Sequence, residues 1–394
     1  MFETLETASP DAIFAVVAAV RADPRPHKID LSIGVYHDRA RRSPIMAAVR
    51  DAERRLLESE ATKSYLGLAG HERFNAGMTA LVFGSAPRER IRAAQTPGGT
   101  GAVRVLAELI RRAKPDARMW LSAPTWPNHP VIMRAVGLET RNYPYFDPAT
   151  NEVQADAMLK ALGQAGPGDV VLLHGCCHNP TGAELAPEHW DAIADLAVGR
   201  GFLPFVDFAY QGFGDGLEQD AAGVRKLAAR VPQMVVAASC SKNFGLYRDR
   251  VGCAFVLGAS PERADVMQGQ LLSIARANYS SPPAHGAAVV GAILDDAALR
   301  ADWQTELDDM RAHMLGLRRS LAAGLRVRSN SDRFDFVERH RGMFSLIGAS
   351  PEQVARLRDE HAVHMLGSGR INIAGLPEAE VDRFADALIT VLGR

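Results

Sequence analysis

A single lysine, Lys242, stands in the run Ser239-Cys240-Ser241-Lys242-Asn243-Phe244-Gly245, with Arg248 and Arg250 just downstream. The apolar run Met234 to Ala238 precedes it and reads as a buried strand. A lysine near apolar walls and other cations has a lowered pKa, and its neutral amine can form a Schiff base with an aldehyde. Hydroxyls and an arginine beside it suit a phosphate. Pyridoxal 5′-phosphate (PLP) meets both needs, since it carries an aldehyde and a phosphate. The short pattern alone is equally compatible with a surface lysine in a loop.

Three further groups bear on that choice. Gln95-Thr96-Pro97-Gly98-Gly99-Thr100-Gly101 precedes Val103, Leu106, Ala107 and Ile110, whose spacing predicts a helix. Glycines at a helix start let backbone N–H groups approach an anion, so a phosphate fits there; a plain Gly-rich turn is the other reading. The spacing matches neither the Walker nor the G-x-G-x-x-G pattern, so a nucleotide is not favoured. Asp207 ends the apolar run Phe202-Leu203-Pro204-Phe205-Val206. A carboxylate there is costly unless paired, either in an ion pair or helix cap or with a cationic ligand such as a protonated pyridine nitrogen. Tyr210 and Asn179 could both hydrogen-bond one phenolate-like oxygen. His129, His174 and His178 lack an acidic or cysteine partner at metal-ligand spacing, and are read as support for Asp207. No metal is expected.

The elements around these residues alternate. Largely apolar runs at 119–122, 169–174, 202–206, 234–238 and 253–257, and a short stretch near 140–143, read as strands, separated by helical stretches near 131–136 and from Pro187. Earlier, Leu31–Tyr36 reads as a strand, and Pro44–Ser59 and Glu72–Phe83 as helices. Ser9-Pro10-Asp11 reads as the cap of a helix starting near Ala12. Later, the amphipathic stretch 296–324 is expected to bridge two domains. It precedes strands near 334–337, 342–345 and 370–373 and helices from Pro351 and Pro377. Alternation of this kind predicts an α/β fold with a mostly parallel central sheet sandwiched by helices. Ligands bind beyond the carboxyl ends of such strands, where His174, Asp207 and Ser239 fall.

Composition excludes several classes of function. The chain has 394 residues, is 47% hydrophobic and 23% charged, and carries a net charge of −1. No global field favours nucleic acid or an anionic membrane. No apolar run is long enough to span a bilayer, and Met1–Glu6 has no signal-peptide character. The four cysteines, two of them adjacent at Cys176-Cys177, suit neither a metal motif nor a disulfide framework. A reducing cytoplasm is the expected setting.

The runs Gln95–Gly101, Thr125–His129, His174–Gly182, Asp207–Phe213, Ser239–Gly252, Arg276–His285 and Arg370–Gly375 carry a resemblance over essentially the whole chain. In order and spacing they resemble the fold-type I PLP-dependent aspartate/aromatic aminotransferase family, most of all its bacterial aromatic-amino-acid (tyrosine) branch. The resemblance implies an N-terminal arm and part of a small domain at 1–43, a large PLP-binding domain at 44–300 and a small C-terminal α/β domain at 301–394. It implies that Lys242 holds PLP as a Schiff base and shuttles the proton at the substrate Cα. Asp207 would pair with the pyridinium, Asn179 and Tyr210 would bind the ring oxygen, and Trp126 would stack on the ring. Gly99, Thr100, Ser239, Ser241 and Arg250 would hold the phosphate. Arg370, with Gly34, would take the substrate α-carboxylate through a bidentate fork that lysine could not replicate. Tyr65 would reach the phosphate, and Arg276 the distal carboxylate, from the other subunit of a homodimer with shared active sites.

The substrates implied are amino acids and 2-oxo acids. At the rim, the family's aspartate members tend to carry Lys where this chain has His37 and Asn where it has Ser64. They tend to carry Asn or Ser at the position of Ser281. Ile13 and Phe14 could pack on an aromatic ring. These positions favour aromatic amino acids with 2-oxoglutarate, aspartate and glutamate also being accepted; an aspartate aminotransferase is the alternative. A PLP β-lyase or decarboxylase and a catalytically silent binding protein fit less well, because Lys242, Asp207, Arg250, Arg276 and Arg370 are all present.

Overall fold

Seven strands form the main sheet of the computed structural model, which describes residues 1–7 and 12–393. The cap expected at Ser9-Pro10-Asp11 lies outside the described residues. Across the sheet the order is Ile91–Pro97, Val251–Leu257, Met234–Ser239, Leu203–Phe208, Asp169–His174, Arg118–Ala123 and Glu139–Pro144. The last five are parallel to one another, and Val251–Leu257 runs antiparallel to both of its neighbours. Asp169–His174, Met234–Ser239 and Val251–Leu257 are buried at every position, as unbroken apolar runs must be when both faces of a sheet are covered. The register sets His174 beside Asp207, and Asp207 beside Ala237. Three strands therefore deliver their ends to one edge.

Helices complete the layers. Gly98–Ala113 buries Val103, Leu106, Ala107 and Ile110 as its spacing predicts. Pro187–Arg200 starts on a proline, whose missing N–H costs nothing at that position, and buries Trp190, Ile193, Ala194 and Ala197.

The chain divides into two compact units. The larger comprises Ser43–His313 and His340–Gly342; the smaller comprises Met1–Arg42, Met314–Arg339 and Met343–Arg394. The 33-residue helix Ala297–Ser329 belongs to the larger unit up to His313 and to the smaller from Met314. In the smaller unit, the fully buried Arg318 donates to the carbonyls of Val337 (2.9 Å) and Phe344 (2.7 Å) and to Ser345 Oγ (2.9 Å). Among the described residues no helix is long and apolar enough to cross a membrane.

Several expected elements differ. Leu31–Tyr36 is not a strand; only Ile29–Asp30 pairs, with Val363–His364. Side chains take the acceptors that a sheet partner would have used. The Asn372 amide donates to the carbonyls of Ile33 (2.7 Å) and Val35 (2.9 Å), and Arg370 to that of Ser32 (2.7 Å). The strand expected near 334–337 is instead a short helix, Phe336–Arg339. A turn from Asp335 N–H to the Asp332 carbonyl precedes it, because polar Ser331-Asp332-Arg333 favours a turn over a ladder. The last helix begins at Val381, after a 3₁₀ turn at Glu378–Glu380. Ile91–Pro97 is also a strand, although Arg92, Ala93, Ala94 and Gln95 predict none.

Candidate active site

Lys242 sits three residues beyond the strand Met234–Ser239. Its position is set from several sides. The Gly245 N–H donates to the Lys242 carbonyl (3.0 Å), closing a turn. Trp303 Nε1 donates to the Asn243 carbonyl (2.7 Å), and the Phe244 ring stacks on Trp303 at 4.4 Å. Lys242 Nζ lies over the Tyr210 ring, 5.3 Å from its centroid.

Around it is a cleft of about 180 Å³. One end is built for an anion. Gly99 and Thr100, from the start of the helix Gly98–Ala113, face Ser239, Ser241 and Arg250 there. The Arg250 guanidinium bonds the Tyr247 carbonyl (2.8 Å) and Ser241 Oγ (3.4 Å). The backbone must come very close at this point. A Cβ on Gly252 would lie 2.3 Å from the carbonyl carbon of Gly98, and one on Gly98, whose φ is +75°, would strike Arg250.

The other end is built for a cation. Asp207, at the end of Leu203–Phe208, accepts from His129 Nε2 (3.2 Å). His129 Nδ1 meets Thr125 Oγ1 (2.8 Å), which also meets His174 Nε2 (3.1 Å). His178 packs on His174, and its two nitrogens bond Ser122 Oγ (3.0 Å) and Thr181 Oγ1 (2.9 Å). Burial would push the Asp207 carboxyl up. The hydrogen bond and charge of His129, with His174 and Lys242 behind it, outweigh burial and hold it below its usual range. A carboxylate kept ionised with only 12% of its side chain exposed is a seat for a positive charge.

Burial, with the other histidines adding to it, lowers His174 to about 3 and His178 well below its ordinary value. Both are neutral in the folded chain and titrate near 6.5 when unfolded. Unfolding therefore takes up protons below that pH. The stability they contribute is complete above about pH 6.5 and falls as pH drops toward 3, by about 1.4 kcal/mol per pH unit for each histidine. Urea unfolding at pH 7.5, 6.0 and 5.0 is expected to show this acid-side loss, and His178→Gln to reduce its slope. An unchanged slope in that variant would contradict the burial argument.

Ten of the residues expected to act together line this one cleft: Lys242, Asp207, Tyr210, Asn179, Trp126, Gly99, Thr100, Ser239, Ser241 and Arg250. The Asn179 amide lies 3.5 Å from the Tyr210 hydroxyl, so both point at one locus. In the smaller unit, Gly34 and Arg370 converge on Phe344. The Arg370 guanidinium lies 4.2 Å over that ring, and a Cβ on Gly34 would approach it to 2.8 Å. Tyr65 and Arg276 do not line the cleft. Tyr65 is 95% exposed, and Arg276, in the last turn of Pro261–Asn278, bonds Ser280 Oγ. Ser281 Oγ donates to the Leu66 carbonyl (3.1 Å), so the Tyr65 and Arg276 segments are tied together on the surface of the larger unit.

Tyr247, Val103 and Ala209 also line the cleft. Tyr247 lies five residues after Lys242, close enough for the motif to have flagged it. Thr125, which links two histidines, carried no sequence signal beyond its neighbour Trp126. Cys176, Cys177 and the Asp220 carboxylate come within 4.8 Å of one another, although nothing in their spacing predicts it. That carboxylate caps a loop, accepting from the N–H groups of Gly212, Gly214 and Asp215. Burial keeps the Cys176 thiol protonated.

Comparison with known proteins gives a consistent picture. Residues 26–388 match the family model described as aminotransferase class I and II. The chain is 50% identical over 392 residues to an aromatic-amino-acid aminotransferase of Paracoccus denitrificans, covering 99% of this chain and all of that one. It is 44% identical to an aspartate aminotransferase of Escherichia coli K12, with both chains fully covered. Among solved structures it is similar to an aromatic-amino-acid aminotransferase of Burkholderia pseudomallei covalently bound to pyridoxal phosphate. That match has a TM-score of 0.97 and 39% identity, and covers 100% of this chain and 99% of the other.

Proposed function

This chain belongs to the class I and II aminotransferases, and we propose that it is a PLP-dependent transaminase. It moves an amino group between tyrosine, phenylalanine or tryptophan and 2-oxoglutarate, and also accepts aspartate and glutamate. The observation that carries this is the single cleft in which an amine, an anion seat and an ionised buried carboxylate face one another. Those residues fit PLP group by group. Gly99, Thr100, Ser239, Ser241 and Arg250 suit its phosphate, Trp126 its ring face, Asn179 and Tyr210 its ring hydroxyl, and Asp207 its ring nitrogen.

When bound, the cofactor supplies an aldehyde that takes up the amino group and a ring that delocalises the electron pair left at the substrate carbon. The chain's own groups do the rest. Lys242 would hold the aldehyde in the resting enzyme, and its Nζ, once set free by exchange with the substrate's amino group, would take the proton from the substrate Cα. Asp207, held ionised by His129, keeps a proton and its positive charge on a ring nitrogen placed against it. Tyr210 and Asn179 hold the ring oxygen. Arg370 and Gly34 are assigned to the α-carboxylate. Tyr65 and Arg276 act in the site of a partner copy, so the active species is a homodimer. The 95% exposure of Tyr65 supports this. A cytoplasmic location suits the buried thiols.

Aromatic preference is supported by the 50% identity to an aromatic-amino-acid aminotransferase and by His37. Burial lowers that half-buried imidazole below its ordinary value, with Arg41 adding to the effect against Asp30 and Asp38. It is uncharged at neutral pH, where a lysine would carry a full charge. The 44% identical aspartate aminotransferase keeps aspartate specificity as the second reading.

Half-reactions separate the two. Holoenzyme is mixed with aspartate, glutamate, tyrosine, phenylalanine or tryptophan without oxo acid, and the cofactor absorbance is followed. Aromatic rates equal to or above the aspartate rate are expected. Aspartate faster by orders of magnitude would make the chain an aspartate aminotransferase. No change with any donor would overturn the transaminase assignment.

A further inference from the structure

A second cavity lies in the larger unit at the opposite end of the sheet from Lys242. Its volume is about 370 Å³, within the range of pockets that take small organic ligands. Its floor is apolar and buried, formed by Ile110, Ala117, Val170 and Val235. Val170 and Val235 sit at the N-terminal ends of their parallel strands, and Ile110 near the end of Gly98–Ala113. The six-residue strands between the two sites span about 20 Å, so the cavity shares no space with the cleft.

The mouth is cationic. Lys114 and Arg263 stand there, both exposed, and the Arg263 guanidinium has no ion pair among the described residues. The carboxylate in the lining, Asp169, is already engaged. It takes two bonds from Arg118 (2.7 and 2.9 Å) and one from the Gly166 N–H (2.9 Å). Lys114 meets Asp116 at the surface, a solvated pair that holds it only weakly. A ligand with two charges would have to bury one against the apolar floor, which is costly. A neutral apolar ligand would leave the cations at the mouth unused.

We propose that this cavity binds a monocarboxylate with an apolar body, the floor taking the body and Arg263 with Lys114 taking the carboxylate. The assignment is independent of the reaction proposed above. Aliphatic and aromatic acids share this chemistry, so both are used as probes. Calorimetric titration of the holoenzyme with decanoate, and separately with 3-phenylpropanoate, is compared in the wild type, Ala113→Trp and Arg263→Glu. Ala113 is an exposed residue of the lining, so tryptophan there fills the mouth; glutamate at 263 reverses its charge.

Any binding in the Lys242 cleft is common to all three proteins. The wild type is expected to show one further site per chain, with a dissociation constant below about 1 mM, for at least one acid. That site should weaken at least tenfold in both variants, with half-reaction rates and thermal midpoint unchanged. Absence of a further site in the wild type, or a further site of equal strength in both variants, would overturn the proposal.

Discussion

In the Lys242→Ala protein, transamination of tyrosine with 2-oxoglutarate falls by at least ~10⁴-fold, the upper range for one positioned acid–base group. The absorbance of protein-linked cofactor disappears with it. Both losses follow from one atom. Lys242 Nζ is the amine of the cleft, set over Tyr210 by a turn that Trp303 and Phe244 hold in place. Alanine removes the covalent anchor and the proton carrier together, and leaves the anion seat at Gly99, Thr100, Ser239, Ser241 and Arg250 untouched. The variant should therefore still retain PLP on gel filtration, released more readily than from the wild type. Retained PLP with lost turnover assigns the defect to chemistry. Turnover within tenfold of the wild type would remove Lys242 from the mechanism.

The next largest effect is expected at Asp207. Asparagine is nearly isosteric and can still accept from His129, so Asp207→Asn changes the charge and little else. Removing one partner of a buried ion pair costs about 3–5 kcal/mol, which is roughly 10²- to 10⁴-fold in rate. The loss should be similar for aspartate, tyrosine and phenylalanine, because the carboxylate serves the cofactor and no particular donor. Single-turnover rates with the three donors measure this. A loss confined to aspartate would make Asp207 a substrate contact instead. The wild-type rate should show no acidic limb from Asp207 near its ordinary pKa, since the His129 contact keeps the carboxyl ionised below that range.

How much of this was legible beforehand depended on the range of the interaction involved. The strands Asp169–His174 and Met234–Ser239 could be read directly, since unbroken Val, Leu and Ala runs have no stable place except inside a covered sheet. Their ends located His174 and Lys242. Ile91–Pro97 could not be read that way. Arg92, Ala93, Ala94 and Gln95 have weak strand preference, and the segment is a strand because Val251–Leu257 lies against it, more than 150 residues later. The reverse happened at Leu31–Tyr36, where apolar alternation suggested a strand and side chains of Arg370 and Asn372 took its carbonyls instead.

For the site, the residue types and their places at strand ends were properties of the sequence alone. So was the chemistry they imply, because an amine, an anion seat and a buried carboxylate act by what they are. Which of them meet was decided by tertiary structure. The parallel register set His174 beside Asp207, Thr125 joined His129 to His174, and Phe344 gathered Gly34 with Arg370. Burial then set the charge states, lowering His174 and His178 and leaving Asp207 ionised through its partner. Local sequence dictates side-chain chemistry and backbone preference. Hydrogen-bond partners and desolvation come from residues far along the chain, and only the fold brings those together.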